Sequence, residues 1–203
     1  MKRLFLLIPT LFAIACCTAS GPRSVDAPVK IPLADPFILL YDGVYYAYGT
    51  GAENGIEVWT SCNLVSWKRA EGGARDGLAL YRGDVWGDKW FWAPEVYRLK
   101  DKFYMYFTAE EHICVATSDS PLGPWTKYDH NPLLQNPGEL VGVGHSAMFR
   151  DKAGNLKVVF HAHKSKDSIH PREMYISDVR FRLQQGRSLM EIAPEYATPR
   201  IAE

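Results

Sequence analysis

Three short stretches bring together residue types that can do chemistry. The first is Ala34-Asp35-Pro36-Phe37. Proline fixes the backbone behind the aspartate, and a carboxylate held at a strand start beside aromatic residues can act as a base toward water. Asp-Pro is also an ordinary strand cap, and that reading stands beside the catalytic one. The second stretch is Trp90-Phe91-Trp92-Ala93-Pro94-Glu95. Flat aromatic faces suit the C–H faces of sugar rings, or they pack between sheets. Glu95 is either a second carboxylate or a polar strand-start residue that hydrogen-bonds nearby. The third is Gly142-Val143-Gly144-His145-Ser146. Its glycines let the backbone come close to a neighbour, and His145 is a candidate ligand for substrate or metal. His161, His163 and His170 follow, without the spacing of a zinc site. Arg172 offers a guanidinium either to a polar or negative group or to a surface ion pair.

The elements that must position these groups read as strands. Helical periodicity is scarce. Short runs of aromatic and β-branched residues recur instead, such as Val44–Tyr48, Ile56–Trp59, Phe103–Phe107, Ile113–Ala116 and Leu156–Phe160. Tight-turn pairs separate them: Asp42-Gly43, Asp101-Lys102 and Gly154-Asn155. The units repeat. Asp35-Pro36-Phe37 leads to Tyr45-Tyr46, and Pro94-Glu95-Val96 leads to Phe103-Tyr104. Leu64 and Trp67 follow the first pair, Leu122 and Trp125 the second, and a third unit starts at His145. A period of roughly 50 residues built from about four strands marks a β-propeller blade. The expected fold is all-β, a propeller with about three blades over residues 31–182, followed by a polar tail without strand pattern at 183–203.

Residues 1–15 read as an export signal, with Lys2 and Arg3 ahead of an apolar stretch too short to span a membrane. Ala13-Ile14-Ala15-Cys16 admits two readings: a lipobox with Cys16 as the lipidated residue, or a plain Ala-x-Ala cleavage site. Residues 16–30 then form a tether. The first reading attaches the protein to a bacterial membrane through lipid at Cys16. Both readings place it outside the cytoplasm, in the periplasm or on the outer membrane. Cys62 and Cys114 remain in the body and are expected to form no disulfide. Lys and Arg total 23 and so do Asp and Glu, so the chain has no charge excess with which to hold nucleic acid.

At these residues the chain resembles glycoside hydrolase family 43, five-bladed β-propeller enzymes of the arabinofuranosidase, xylosidase and arabinanase group. The resemblance is carried by ADPFILLYDGVYYAYGT, GIEVWTSCNLVSWKR, WFWAPEVYRLKDKFYMYFTA, ICVATSDSPLGPWTKYD and GVGHSAMFRDKAGNLKVVFHAH. It implies an inverting glycosidase acting on arabinofuranosyl or xylosyl units of plant oligo- or polysaccharide. It makes Asp35 the general base, Phe91 and Trp92 cleft-lining aromatics, and Arg172 a contact to the terminal sugar. It also makes His145 the axial residue that helps hold a central calcium ion through water. The family's other two acids sit in IDP and EGP blade starts, and neither motif occurs here. About 150 residues lie between Leu33 and Phe181, where five blades need about 250. The expectation is therefore a five-bladed type with only about three blades, lacking the middle ones. The alternative to a glycosidase is a non-catalytic carbohydrate-binding remnant or an inactive truncated product.

Overall fold

Alternating aromatic and small residues produce three antiparallel sheets of similar plan. The structure, a computed structural model, describes residues 30–184 and 187–202. The leader, Cys16 and most of the tether lie outside those residues. The first blade contains β1 (Ala34–Tyr41), β2 (Val44–Thr50), β3 (Gly55–Ser61) and the short β4 (Lys68–Arg69), in that order, with β5 (Leu80–Tyr81) pairing β3. The second contains β6 (Trp92–Leu99), β7 (Lys102–Ala109), β8 (His112–Ser118) and β9 (Thr126–Lys127). The third contains β10 (Gly144–Arg150), β11 (Leu156–Ala162), β12 (Glu173–Gln184) and β13 (Arg187–Ala197). Four-stranded up-and-down sheets packed face to face are propeller blades, so the expected all-β architecture with three blades is the one observed.

Turn chemistry sets the hairpins. Asp42 and Gly43 both have positive φ, 48° and 74°, as a two-residue hairpin turn requires. In the second blade the turn sits one residue earlier than expected, on Lys100 and Asp101, because β7 already begins at Lys102. The third hairpin is held by the Asp151 carboxylate, which accepts from the amides of Ala153 and Asn155, both at 2.9 Å.

The second blade is packed on both faces. Phe103, Met105 and Phe107 meet Tyr48, Ile56 and Val58 of the first blade. Tyr106 and Val115 meet Val158, Phe160 and Tyr175 of the third. Each fully buried side chain of this size contributes roughly 1.5–3 kcal/mol. The outer blades each keep a less covered face. Ile38 and Leu40 are 49% and 58% exposed on β1, and Met174 is 53% exposed on β12.

One expectation is corrected. Residues 183–203 are not a patternless tail, because β13 pairs along β12 from Gln184↔Arg187 to Ile176↔Ala197. Leu189, Met190, Ile192 and Ala193 are all buried there. The register shifts between Ser177 and Val179, where Asp178 of β12 faces the three residues 193–195 of β13, and Leu189-Met190 and Ile192-Ala193 are adjacent apolar pairs rather than an alternating row. Cys62 is exposed, Cys114 is buried, and no disulfide joins them.

The blades are linked by a repeated hydrogen bond. Each inner strand opens with a bulge: the register shifts between Ala34 and Phe37, Trp92 and Glu95, and Gly144 and Ala147. The second residue of each bulge has a left-handed backbone, with φ of 46° at Asp35, 47° at Ala93 and 47° at His145. That turns its amide out of the ladder. The Ala93 amide donates to Thr50 Oγ1 of the first blade at 3.0 Å, and the His145 amide donates to Thr108 Oγ1 of the second at 3.0 Å. Thr50 and Thr108 pair with the first residues of their bulges, Ala34 and Trp92. The residue that pairs with Gly144 in the third blade is His161. Its Nε2 is buried without a hydrogen-bond partner.

Thr108 is fully buried. Thr108→Val keeps the shape and leaves the His145 amide unpaired, so urea unfolding should show a loss of roughly 1–3 kcal/mol. His161 gives a second expectation. Burial lowers its pKa to about 4, with repulsion from Arg172, His145 and His163 adding to the effect and Asp35 opposing it. An unfolded histidine takes its proton near 6.5. Between those values the unfolded chain binds more protons, so this contribution is complete above pH 6.5 and is lost as pH falls toward 4. The difference in unfolding free energy between the wild-type chain and His161→Gln should therefore shrink as pH falls from 7 to 4.

Candidate active site

The three bulges bring the groups singled out in the sequence to one place. β6 packs against β1 on one side and β10 on the other, so the inner strands of all three blades are neighbours. Asp35 lies at the first bulge. Its Oδ2 accepts a hydrogen bond from Thr50 Oγ1 at 2.7 Å. Its Oδ1 lies 3.6 Å from His145 Nδ1 at the third bulge. That exceeds a hydrogen bond, so Oδ1 keeps its lone pairs.

Aromatic rings gather around His145. The Trp92 indole meets it edge-on with centroids 6.2 Å apart, and stacks on His161 at 5.5 Å with planes inclined by 24°. Arg172 sits over the same indole, its Cζ 5.9 Å from the ring centre. Asp35, Trp92, His145 and Arg172, expected to act together, thus form one chain of neighbours. The glycines explain how. A Cβ on Gly144 would lie 2.5 Å from the Trp92 ring, and one on Gly142 would lie 2.3 Å from the His163 ring. Only hydrogen at these two positions lets the rings cross the backbone.

A cavity of about 650 Å³ opens beside this cluster. Trp90, Trp92, His161, His163 and Arg172 line it, with Thr50 on the side of Asp35. Trp90 is 58% exposed, and Lys89 Nζ lies 4.2 Å from the centre of its ring. Phe91 touches the cavity but is 2% exposed and stacks on Phe107 in the core. Its main contact is packing, whereas Trp90 presents an open face.

Glu95 follows the second bulge. It accepts a hydrogen bond from the Tyr97 hydroxyl, which in turn receives the Met148 amide at 3.3 Å. Burial raises the Glu95 pKa above the ordinary carboxylate value. The Tyr97 bond, the nearby His145 and the Met148 amide each pull the other way. Burial is also the main reason that the Tyr97 hydroxyl holds its proton more tightly than usual, followed by the bond to Glu95.

A calcium ion takes six to eight oxygen ligands. Among the described residues no group of three or more His, Cys, Asp or Glu side chains converges as a metal site. The neighbours of His145 are rings and the Asp35 carboxylate. The described donors do not by themselves form a calcium cage, and no chemical step here runs through one.

Sequence reasoning missed Thr50 and Thr108. Their signal was present in the repeat: Tyr48-Gly49-Thr50 and Tyr106-Phe107-Thr108 end the second strand of two successive blades with the same hydroxyl.

Comparison with known proteins gives the same picture. The family model described as Glycosyl hydrolases family 43 matches residues 26–128. The chain is 30% identical over 141 residues to "Probable arabinan endo-1,5-alpha-L-arabinosidase B" of Aspergillus oryzae, covering 63% of this chain and 38% of that protein. It is 31% identical over 154 residues to an arabinoxylan arabinofuranohydrolase of Bacillus subtilis, covering 60% of this chain and 29% of that one. The chain therefore spans well under half the length of these relatives. It is also similar to the crystal structure of a thermostable family-43 glycoside hydrolase, at 31% identity and a TM-score of 0.60, covering 73% of this chain and 48% of that one. Since the family model runs over just more than half of the 203 residues, through both the Asp35 and the Trp92 strands, this chain belongs to the glycosyl hydrolases of family 43.

Proposed function

We propose that the chain is an inverting glycoside hydrolase acting on arabinofuranosyl or xylosyl units of plant polysaccharide. The observation that carries this reading is the Asp35 carboxylate, held on one oxygen by Thr50 and open on the other, beside a cavity walled by Trp90 and Trp92. The names of its relatives, which refer to arabinan and arabinoxylan, support this substrate class. Inversion needs a base for water and a separate acid for the leaving oxygen, with the two carboxyls roughly 6.5–9.5 Å apart. Asp35 takes the water's proton as the water oxygen bonds to the anomeric carbon. The leaving oxygen takes a proton from that acid as the glycosidic bond breaks. The IDP and EGP starts that carry the family's other acids do not occur in this chain, so Asp35 is the one carboxyl given a role here. Arg172, over the Trp92 ring, is the contact to the terminal sugar.

A second reading is a carbohydrate-binding module without turnover, and the exposed Trp90 on the cavity wall favours it. Export with lipid on Cys16 belongs to the same proposal and rests on Ala13-Ile14-Ala15-Cys16 alone.

Aryl α-L-arabinofuranoside and aryl β-xyloside assays separate the two readings. The hydrolase reading expects sugar release that falls by 10²-fold or more in Asp35→Asn. No release, together with binding to arabinan or arabinoxylan that is lost in Trp90→Ala, would establish the module instead. For export, expression in a bacterial host with labelled palmitate should label the wild-type chain and leave Cys16→Ala unlabelled. Equal labelling of both would reject lipidation at that residue.

A further inference from the structure

Thr50 and Thr108 occupy matching places and accept matching bulge amides, yet they differ in one respect. The Ala93 amide can only donate, so Thr50 Oγ1 must be the acceptor in that 3.0 Å bond. Its single hydroxyl proton is then free to point elsewhere, and the Asp35 Oδ2 atom lies 2.7 Å away. A carboxylate is acceptor-only when ionised, so the hydroxyl donates to it. Backbone chemistry thus fixes the direction of the hydrogen bond at Asp35. Thr108 receives the His145 amide in the same way, and no carboxylate lies on its other side among the described hydrogen bonds.

We infer that Thr50 is the positioning residue for the Asp35 carboxylate, tying it to the seam between the first two blades and leaving Oδ1 as the oxygen that takes the proton from water. This rests on the proposed role of Asp35 as base. The need for such a tie is visible in the backbone. Asp35 has a left-handed φ of 46°, and its side chain is not enclosed by packing, with 30% of its surface exposed. A carboxylate in that setting has several rotamers open to it. One short charge-assisted hydrogen bond selects one of them. The opposite oxygen then faces the side of His145, 3.6 Å away and not hydrogen-bonded to it.

The test compares three variants of the full chain. Thr50→Val removes both bonds of the hydroxyl while keeping its shape. Thr50→Ser keeps both. Thr108→Val removes a seam bond of the same kind with no carboxylate attached. On an aryl glycoside, Thr50→Val should lower kcat by roughly 10- to 100-fold with KM within about twofold, the size expected for one hydrogen bond to a charged group. Thr50→Ser should restore most of the rate. Thr108→Val should lose comparable stability and less of its kcat than Thr50→Val. Equal loss of kcat in Thr50→Val and Thr108→Val, or no rescue by serine, would overturn the inference and leave the hydrolase reading in place. Crystal structures of the wild-type chain and Thr50→Val decide the matter without turnover. The Asp35 carboxylate should leave its wild-type position in the valine variant, and a carboxylate that stays there would overturn the inference whether or not the chain hydrolyses anything. Absence of turnover in the wild-type chain, with the carboxylate displaced in Thr50→Val, would reject the hydrolase reading and keep Thr50 as the residue that positions Asp35.

Discussion

The structure depends on a backbone amide turned the wrong way for its own sheet. At the start of an inner strand, a non-glycine residue adopts a left-handed conformation that costs on the order of 1 kcal/mol or more. Its N–H leaves the strand ladder and has to be satisfied elsewhere, since a buried amide without a partner is more costly still. The side chain that satisfies it stands on the neighbouring blade. The strain at Ala93 and His145 is therefore also the means by which one sheet finds the next, through Thr50 and Thr108. The apolar contacts supply most of the burial energy between blades, but they are less directional. The amide-to-hydroxyl bond fixes the offset.

The same device places the chemistry. A bulge at the head of each inner strand projects one residue where the three blades meet, and in two of them that residue carries a functional group, Asp35 and His145. In the middle blade it is Ala93, which leaves room. Trp92 fills that room by lying across Gly144 and stacking on His161. Two carboxyls then sit in contrasting environments. Asp35 accepts one hydroxyl and retains an open oxygen, while Glu95 is drawn into the packing around Tyr97 and favours its proton.

Much of this was legible in the residues. The strands follow from aromatic and β-branched runs such as Phe103–Phe107, and the first hairpin from Asp42-Gly43, because both signals are local. The blade repeat exposed Asp35 and His145 at strand starts, with Trp92 next to the matching residue of the middle blade, Ala93. The rest depends on contacts between distant residues. β13 was hidden because its apolar residues come in adjacent pairs, which lack the alternation of a strand with one buried face. Phe91 reads like Trp90 and Trp92 in a row of three aromatics, yet tertiary packing sends it to Phe107. Thr50 carries no mark of its own until the amide opposite it is known, 43 residues away.

The bulge also separates what can be repeated from what cannot. Each blade brings a donor at its front, the turned-out amide, and an acceptor on its second strand. The donor does not depend on the side chain of its residue; the acceptor is a threonine in two blades, and the matching place in the third holds His161. Blades built this way are couplings with matching ends. The side chains at the strand heads have no such redundancy, because aspartate stands at one and histidine at another. In this architecture, size comes in units of about fifty residues, and reactivity one side chain at a time.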